Sequence, residues 1–420
     1  MTPTVANTAR VNPYENPELA RWLGGFEGVP EWTDPAETPE EKERRRRWQA
    51  RGNELFEIAG AILPGLVLAV GIAVAGGAIA EWFGVSVLGF EKSPVSAVLM
   101  AILLGLAIRN TIGLPSVYDA GLRLALQRVL RFGVALLGIR LSLSAAGAIG
   151  AAALPIVIVC IASALVLVTW LSRQMKLPGR LGVLIAVGTS ICGNTAIVAT
   201  GPINHADEDE MSYAVGCITV FGLIALMVYP FLSHSLFAGN PHLAGLFLGT
   251  AIHDTAQVAG AGAMYAQQFE TSAALDTATV TKLVRNLFML AVIPLMAILY
   301  DRDGSGRAAS GTSFSQLVPL FVFGFIAMTT LRTVGDIGDR PFGFLDPETW
   351  KAGVAMASSV ANWCLAVAMA AVGLGTSFSK LSKLGLRPLA MGLIAAVVVG
   401  GVSYSMIRLL AGVGFLDSVL

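Results

Sequence analysis

The chain is short of charge. Lys, Arg, Asp and Glu make up 13% of its 420 residues, against about 25% in a soluble globular domain. Cysteine is scarce too: Cys160, Cys192, Cys217 and Cys364 all lie in apolar runs and none forms a CxxC pair. That excludes a disulfide framework and any metal-ligand spacing, so the thiols read as small buried hydrophobes. No HExxH, GxSxG or P-loop sequence occurs. The formal net charge is +0, which gives no electrostatic reason for a nucleic-acid partner. The long apolar runs lack period-two alternation, which argues against a β-barrel.

What is present is apolar. Hydrophobic residues reach 55%, with 46 glycines, and mean hydropathy is +0.70. This is the composition of an all-α integral membrane protein, in which small residues let helices approach closely. Residues 1–55 form a polar leader without the early apolar core of a signal peptide. From Thr38 to Glu57 the leader reads either as an amphipathic helix lying on the bilayer or as a solvated tail whose Arg44–Arg47 block sets topology. Residues 56–420 form the transmembrane domain, a run of apolar stretches from Ile58–Phe83 to Pro388–Leu410. Counted at about 20 residues per span they give about eleven transmembrane helices.

Basic residues near span ends set orientation. Arg44–Arg47 place the N-terminus in the cytoplasm. Arg109, Arg123, Arg128 and Arg131 then fall inside, as do Arg173, Lys176 and Arg180, and later Lys380, Lys383 and Arg387. The acidic loop His205–Glu210 falls outside on this count. The stretch Leu137–Ser142 resembles Val372–Ser377, and each precedes an apolar span with an early proline, Pro155 and Pro388. An odd number of crossings separates them, as in an inverted repeat.

Two apolar stretches carry polar residues at membrane depth, where they are expensive and usually functional. One is Gly188-Thr189-Ser190-Ile191-Cys192-Gly193-Asn194-Thr195-Ala196. The other is Gly249-Thr250-Ala251-Ile252-His253-Asp254-Thr255-Ala256-Gln257. The two read alike, yet they lie an even number of spans apart. Either the likeness is coincidental or one of them is broken or re-entrant.

In the first stretch, two glycines beside Thr189, Ser190, Cys192, Asn194 and Thr195 permit an unwound middle. That would offer free N–H groups to an anion and carbonyls to a cation. A close helix–helix contact is the plainer alternative. In the second, His253 and Asp254 suit a proton or sodium site, with Gln257 one turn beyond His253; a structural His–Asp pair is the alternative. Lys282 and Arg285, three residues apart on one helical face, read as an electropositive mouth for an anion, as partners of Asp254, or as interfacial anchors. Arg140 is a second candidate for compensating a buried anion. Ser358, Ser359, Asn362, Trp363 and Cys364 form a further polar patch, read equally as site or packing. Cys192, His253 and Asp254 contain the residue types of a nucleophilic triad, but adjacent residues diverge by about 100° on a helix, so Asp254 cannot orient His253. An enzyme is not expected.

Ser190-Ile191-Cys192-Gly193, then His253 to Val258, Lys282 and Arg285, with Gly373, Leu374 and Phe378, resemble the YeiH-type family, which carries a sulfate-exporter label. The likeness runs from about Phe56 to the C-terminus. Asp254 and Asn194 depart from it, standing where glutamate and a small residue are expected. More distantly the family is similar to bile-acid symporters, sodium/proton antiporters and auxin-type carriers. The resemblance implies an inverted-repeat transporter with broken helices at its centre, in a bacterial inner membrane.

The expected function is export of a small anion such as sulfate, sulfite or an organic sulfonate. Its expected binding residues are Thr189, Ser190, Cys192, Gly193, Asn194, Gln257, Lys282 and Arg285, with His253 and Asp254 coupling a proton or sodium. No cofactor or metal is expected; the partners are the anion, the bilayer and a second copy in a homodimer. A cation/proton antiporter using Asp254 is the alternative, and a non-transporting membrane sensor or scaffold a further one.

Overall fold

The computed structural model describes residues 39–87, 89, 93, 95–300, 320–338, 340–381 and 386–419. The chain divides into two units, 1–59 and 60–420. Of the first, the described residues are helical from Pro39 onward; the rest of the expected leader lies outside the described residues, as does Lys383. All regular structure among the described residues is helical.

The helices, in order, begin with α1 (Pro39–Glu81) and α2 (Ala97–Thr111). Next come α3 (Asp119–Leu124) and α4 (Leu130–Leu137), made one rod by a π turn, Ala125–Val129, and ended by a 3-10 turn, Gly138–Arg140. Helices α5 (Leu143–Ser163) and α6 (Thr169–Gln174) likewise form one rod through Ala164–Val168. Then come α7 (Gly179–Ser190), α8 (Asn194–Thr200), α9 (Glu208–Leu236), α10 (Pro241–Ala251), α11 (Thr255–Gln268), α12 (Ala273–Leu287) and α13 (Met289–Tyr300). The last long helices are α14 (Leu320–Gly335), α15 (Pro347–Gly375) and α16 (Leu386–Gly412). Caps mark several starts: Ser96 before α2, Asn240 with Pro241 at α10, and Asp346 with Pro347 at α15.

Among the described residues, six stretches are long and apolar enough to cross a membrane on their own: Glu57–Val87, Leu143–Gln174, Glu208–Leu236, Ala273–Met296, Pro347–Gly375 and Leu386–Gly412. The shorter apolar helices are α2, α7 and α14.

The helices sort into two bundles. In the outer one, α2 lies on α15 through Gly105 and Gly373, α4 meets α15 where Gly133 abuts Cys364, and Gly138 packs on Phe325 of α14. Ala69, Ile72, Ala101, Leu122, Ala370 and Leu374 bury against one another there. The inner bundle holds α5 to α13 and α16, with α12 at its centre and buried nearly all round, polar residues included.

Two of the stretches counted above as spans fold back on themselves. In the first, the Asn204 amide donates to the carbonyl of Arg180 at 3.0 Å, so the end of α8 returns to the start of α7. Gly188 of α7 packs against Ile197 of α8 on the way. In the second, α10 runs alongside α12 in the same direction, Gly245 facing Thr277 and Gly249 facing Thr281. Helix α11 runs back, with Gly262 against Leu275. The His242 ring meets the Thr277 hydroxyl at 3.1 Å at the open end of this second hairpin.

The hairpins enter from opposite ends. The α5–α6 rod starts beside Arg140, which pairs with Asp276 near the open end of the second hairpin. It finishes at Ser172, which packs on Gly182 at the open end of the first. Helix α9 runs the same length, from Met211 against Gly201 to His234, whose ring meets the Tyr265 hydroxyl at 3.0 Å.

One expectation is corrected here. The acidic loop His205–Glu210 is not on the far side from Arg173, Lys176 and Arg180, because the hairpin returns the chain to the same end. Its acids instead start a helix. Glu210 N–H donates to the Asp207 carboxylate at 2.7 Å and Asp207 N–H to the Glu210 carboxylate at 3.2 Å, a capping box that also places negative charge at the positive end of the α9 dipole.

Candidate functional site

The hairpin tips meet in the middle of the inner bundle. In the first, α7 stops at Ser190, and Gly193 takes φ 68°, a left-handed conformation that glycine adopts without penalty. In the second, Ile252 and Asp254 are extended before α11 begins. Thr189, Ser190 and Thr250 do not line the space between the tips, and Thr250 instead meets the Ser403 hydroxyl of α16 at 2.6 Å. Their hydroxyls donate to Ile185, Val187 and Leu246 carbonyls at 2.6, 2.8 and 2.7 Å, within their own helices.

A helix that stops leaves carbonyls without partners and a partial negative charge at its end. Here α7 and α10 stop side by side. Lys282 fills the gap: its ammonium donates to the carbonyls of Ile191 at 2.8 Å, Ile252 at 3.1 Å and His253 at 2.5 Å. Arg285 donates to Ser190 at 2.7 Å, Thr250 at 2.7 Å, Ile252 at 3.1 Å and Thr189. All three Lys282 donors are thereby used, and the two side chains are 1% and 0% exposed. They are therefore neither at a mouth nor at an interface, and they do not belong to the lining of the cavity beside the tips. They clamp both tips from within.

Asp254 performs the complementary task. Its carboxylate accepts from Ala256 N–H at 2.8 Å, capping α11. The same carboxylate stands against Gly193, where α8 begins. One acid thus caps the second half of one hairpin and lies beside the start of the second half of the other, where free N–H groups and the positive dipole ends point. Two cations satisfy the first halves. The charge arrangement follows the twofold sense of the hairpins, although Lys282, Arg285 and Asp254 have no matching copies.

A cavity of about 970 Å³ opens beside the tips, along the seam between the bundles. From the inner bundle it is lined by Cys192, Asn194, Thr195, Asp254, Thr255, Gln257 and Asn286, and from the outer by Arg128, Arg131 and Thr376. It extends toward Leu320, Gly375 and Thr376, the end at which the first hairpin opens. Among the expected site residues, Cys192, Asn194, Asp254 and Gln257 come together here; Thr189, Ser190, His253, Lys282 and Arg285 stand behind the lining. Gly193 lies at the tip against Asp254. His253 is 1% exposed and its Nδ1 has no partner among the described residues.

Asn194 Oδ1, Gln257 Oε1 and Asn286 Oδ1 are buried acceptors without a hydrogen bond among the described residues. The other amide ends of the latter two are engaged, Gln257 donating to the Thr219 carbonyl at 3.2 Å and Asn286 to the Thr255 hydroxyl at 3.2 Å.

Arg131 is the site residue that sequence reasoning assigned elsewhere, to the basic residues near span ends on the inner side with Arg109, Arg123 and Arg128. It lies twelve residues into the α3–α4 rod, about 18 Å along it at 1.5 Å per residue. A cation at that depth is the signal that could have found it. At the far end of the seam the two bundles are joined by Arg140 and Asp276 at 3.3 Å. Ser96 also donates there to Gln267 at 2.6 Å.

A family model described as conserved hypothetical protein 698 matches residues 64–392. A UPF0324 membrane protein of Streptococcus mutans is 32% identical over 355 residues, 83% of this chain and 97% of its own length. The UPF0324 inner membrane protein YeiH of Salmonella typhimurium is 33% identical over 353 residues, 81% of this chain and 92% of its own. A UPF0324 membrane protein of Agrobacterium fabrum is 30% identical over 348 residues, 83% and 93%. No solved structure matches the chain. The chain belongs to this YeiH-type family and is a multi-pass helical membrane protein.

Proposed function

We propose that this member of the YeiH-type family is a secondary transporter that exports a small anion. The observation that carries the reading is the meeting of two opposed hairpins, tip to tip, at a polar cavity on the seam between two bundles. Removing the two hairpins from about eleven apolar stretches leaves about nine crossings, with the hairpins re-entrant from opposite faces. On that count the Gly188 and Gly249 motifs are an inverted pair, which accounts for their even separation.

Arg109, Arg173, Lys176, Arg180 and Arg387 gather at the end toward which the cavity extends. The bias of basic residues toward the cytoplasm makes that end cytoplasmic in the inner membrane. The cavity then faces the cytoplasm, as the loading state of an exporter requires. An inside-negative potential of 100 mV contributes about 2.3 kcal/mol per charge, so about 4.6 kcal/mol drives a dianion outward.

The anion sits against Arg131 and the tip that carries Asn194, Thr195 and Thr255. An ionised Asp254 occupies the same donors, so a proton or sodium ion on Asp254 favours loading. Sulfate, sulfite and organic sulfonates fit this description. Purified protein in liposomes should release labelled sulfate or sulfite, and Arg131→Ala should stop it; equal flux in both would overturn the assignment.

The three unpartnered amide oxygens beside Asp254 favour a second reading, a cation/proton antiporter, since acceptors suit a cation. Sodium-dependent proton movement with no anion requirement would select it.

A further inference from the structure

The patch Ser358, Ser359, Asn362, Trp363 and Cys364 has no part in the cavity described above. It lies on the outer bundle. Asn362 is about half-way along the 29-residue helix α15, roughly 22 Å from its start and about 20 Å from its end, which is the middle of a bilayer about 30 Å thick in its hydrocarbon core. The opposite face of α15 is buried in the bundle through Ala361, Leu365 and Ala368, each 0% exposed. Asn362 and Ser359 are exposed, and no side chain or backbone group of the described chain hydrogen-bonds either side chain. Beside them Met356 is 69% and Trp363 52% exposed. Met356, Ser359 and Trp363 themselves line a shallow groove of about 300 Å³ between α1 and α15, together with Leu66, Val70 and Val367.

We propose that this face of α15 packs against the same face of a second copy of the chain. At mid-bilayer, neither lipid tails nor water can satisfy a carboxamide, and an unsatisfied polar group there costs several kcal/mol. The occupant must therefore bring a donor and an acceptor to that depth. An Asn side chain carries both, so across a twofold axis Asn362 pairs with its own copy. Ser358 and Ser359 keep the crossing close, as small residues do at membrane interfaces. Trp363 and Met356 of each copy then have the groove of the other to enter. The segments of this chain outside the described residues do not qualify as occupants. Residues 1–38 and 301–319 are polar and proline-, glycine- or serine-bearing, unsuited to hydrocarbon. The interface is independent of what the cavity transports.

The test is the mass state of the full-length protein in lipid nanodiscs and native membranes, with Ser359→Cys in a background lacking the native cysteines. A dimer that crosslinks through residue 359 on mild oxidation is expected. Asn362→Leu, a change on an exposed face, should leave the melting temperature unchanged and weaken dimerisation roughly three- to tenfold. A protein that is monomeric across lipid dilutions overturns the proposal. So does a dimer that neither crosslinks at residue 359 nor responds to Asn362→Leu, and so does a heterologous membrane protein found on this face in place of the second copy.

Discussion

Lys282 and Arg285, one turn apart on α12, between them satisfy the carbonyl ends of both hairpins. Lys282 reaches Ile191 in one tip and Ile252 and His253 in the other, and Arg285 spans Ser190 and Thr250. Neither cation has a carboxylate partner within salt-bridge reach among the described residues. Their counter-charge is the partial negative charge of two helix ends. This is why a buried Lys and a buried Arg are tolerated side by side: each hydrogen bond to a charged donor contributes about 1.5–3 kcal/mol.

The first prediction follows from that geometry. Lys282→Met and Arg285→Ala each leave several buried carbonyls without a partner, so each should lower stability by at least about 3 kcal/mol. Thermal unfolding in detergent reads this directly. Arg285→Lys should recover little, because an ammonium cannot reproduce the planar fork that reaches both tips. Were these residues anion ligands and nothing else, transport would fall while melting stayed put.

Asp254 allows structure and coupling to be separated. Asparagine is as good an N-cap as aspartate, whereas alanine loses about 1 kcal/mol at the α11 cap. Asp254→Asn should therefore fold and melt like the parent, and Asp254→Ala should not. Only the ionisable group distinguishes Asp254→Asn from the parent, so its flux should lose dependence on pH or sodium. A pH profile unchanged in Asp254→Asn would move the coupling group elsewhere.

Arg131 faces the cavity from the outer bundle, with the tips opposite. Arg131→Gln should weaken anion binding by about ten- to a hundredfold, the loss of one charge-assisted hydrogen bond. Arg128→Gln, one turn nearer the rod's start, should cost less. Anion-induced thermal stabilisation measures both, and equal affinities in all three proteins would remove Arg131 from the site.

The segments that matter were legible because polar residues stand out in apolar runs. Asn194, Asp254 and Gln257 were found in this way, and all three line the cavity. What they form was not legible. A run such as Leu181–Val198 has the same hydropathy whether it crosses a bilayer or doubles back, and the bond from Asn204 to Arg180 that decides the matter joins a loop amide to a backbone carbonyl. The partners of Lys282 and Arg285 are likewise backbone carbonyls, which every residue carries, so no residue type advertises them. Arg131 was hidden by company: beside Arg123 and Arg128 it reads as a span-end charge that sets orientation, although the rod has already begun at Asp119. The acids of His205–Glu210 misled in the other direction, since charge that caps a helix looks the same in sequence as charge that marks a membrane face.

The seam between the bundles carries a second Arg–Asp relationship. Arg140, nine residues beyond Arg131 and about 13 Å further along the rod, pairs with Asp276 of α12 at 3.3 Å. With Ser96 and Gln267 it joins the bundles at the end away from the cavity. A transporter must open at that end in turn, and the inner bundle cannot part from the outer there while this pair holds. Arg140→Ala should therefore shift the protein toward the opposite-facing state. A cysteine placed at Thr195, which lines the cavity, reports the shift in a background free of native cysteines. A membrane-impermeant thiol reagent should reach it mainly from the cytoplasmic face in the parent and increasingly from the other face in Arg140→Ala. Exchanging the charges, Arg140→Asp with Asp276→Arg, should restore the parental pattern if the pair acts as a latch. Labelling that stays one-sided in Arg140→Ala would mean that other contacts hold that end closed.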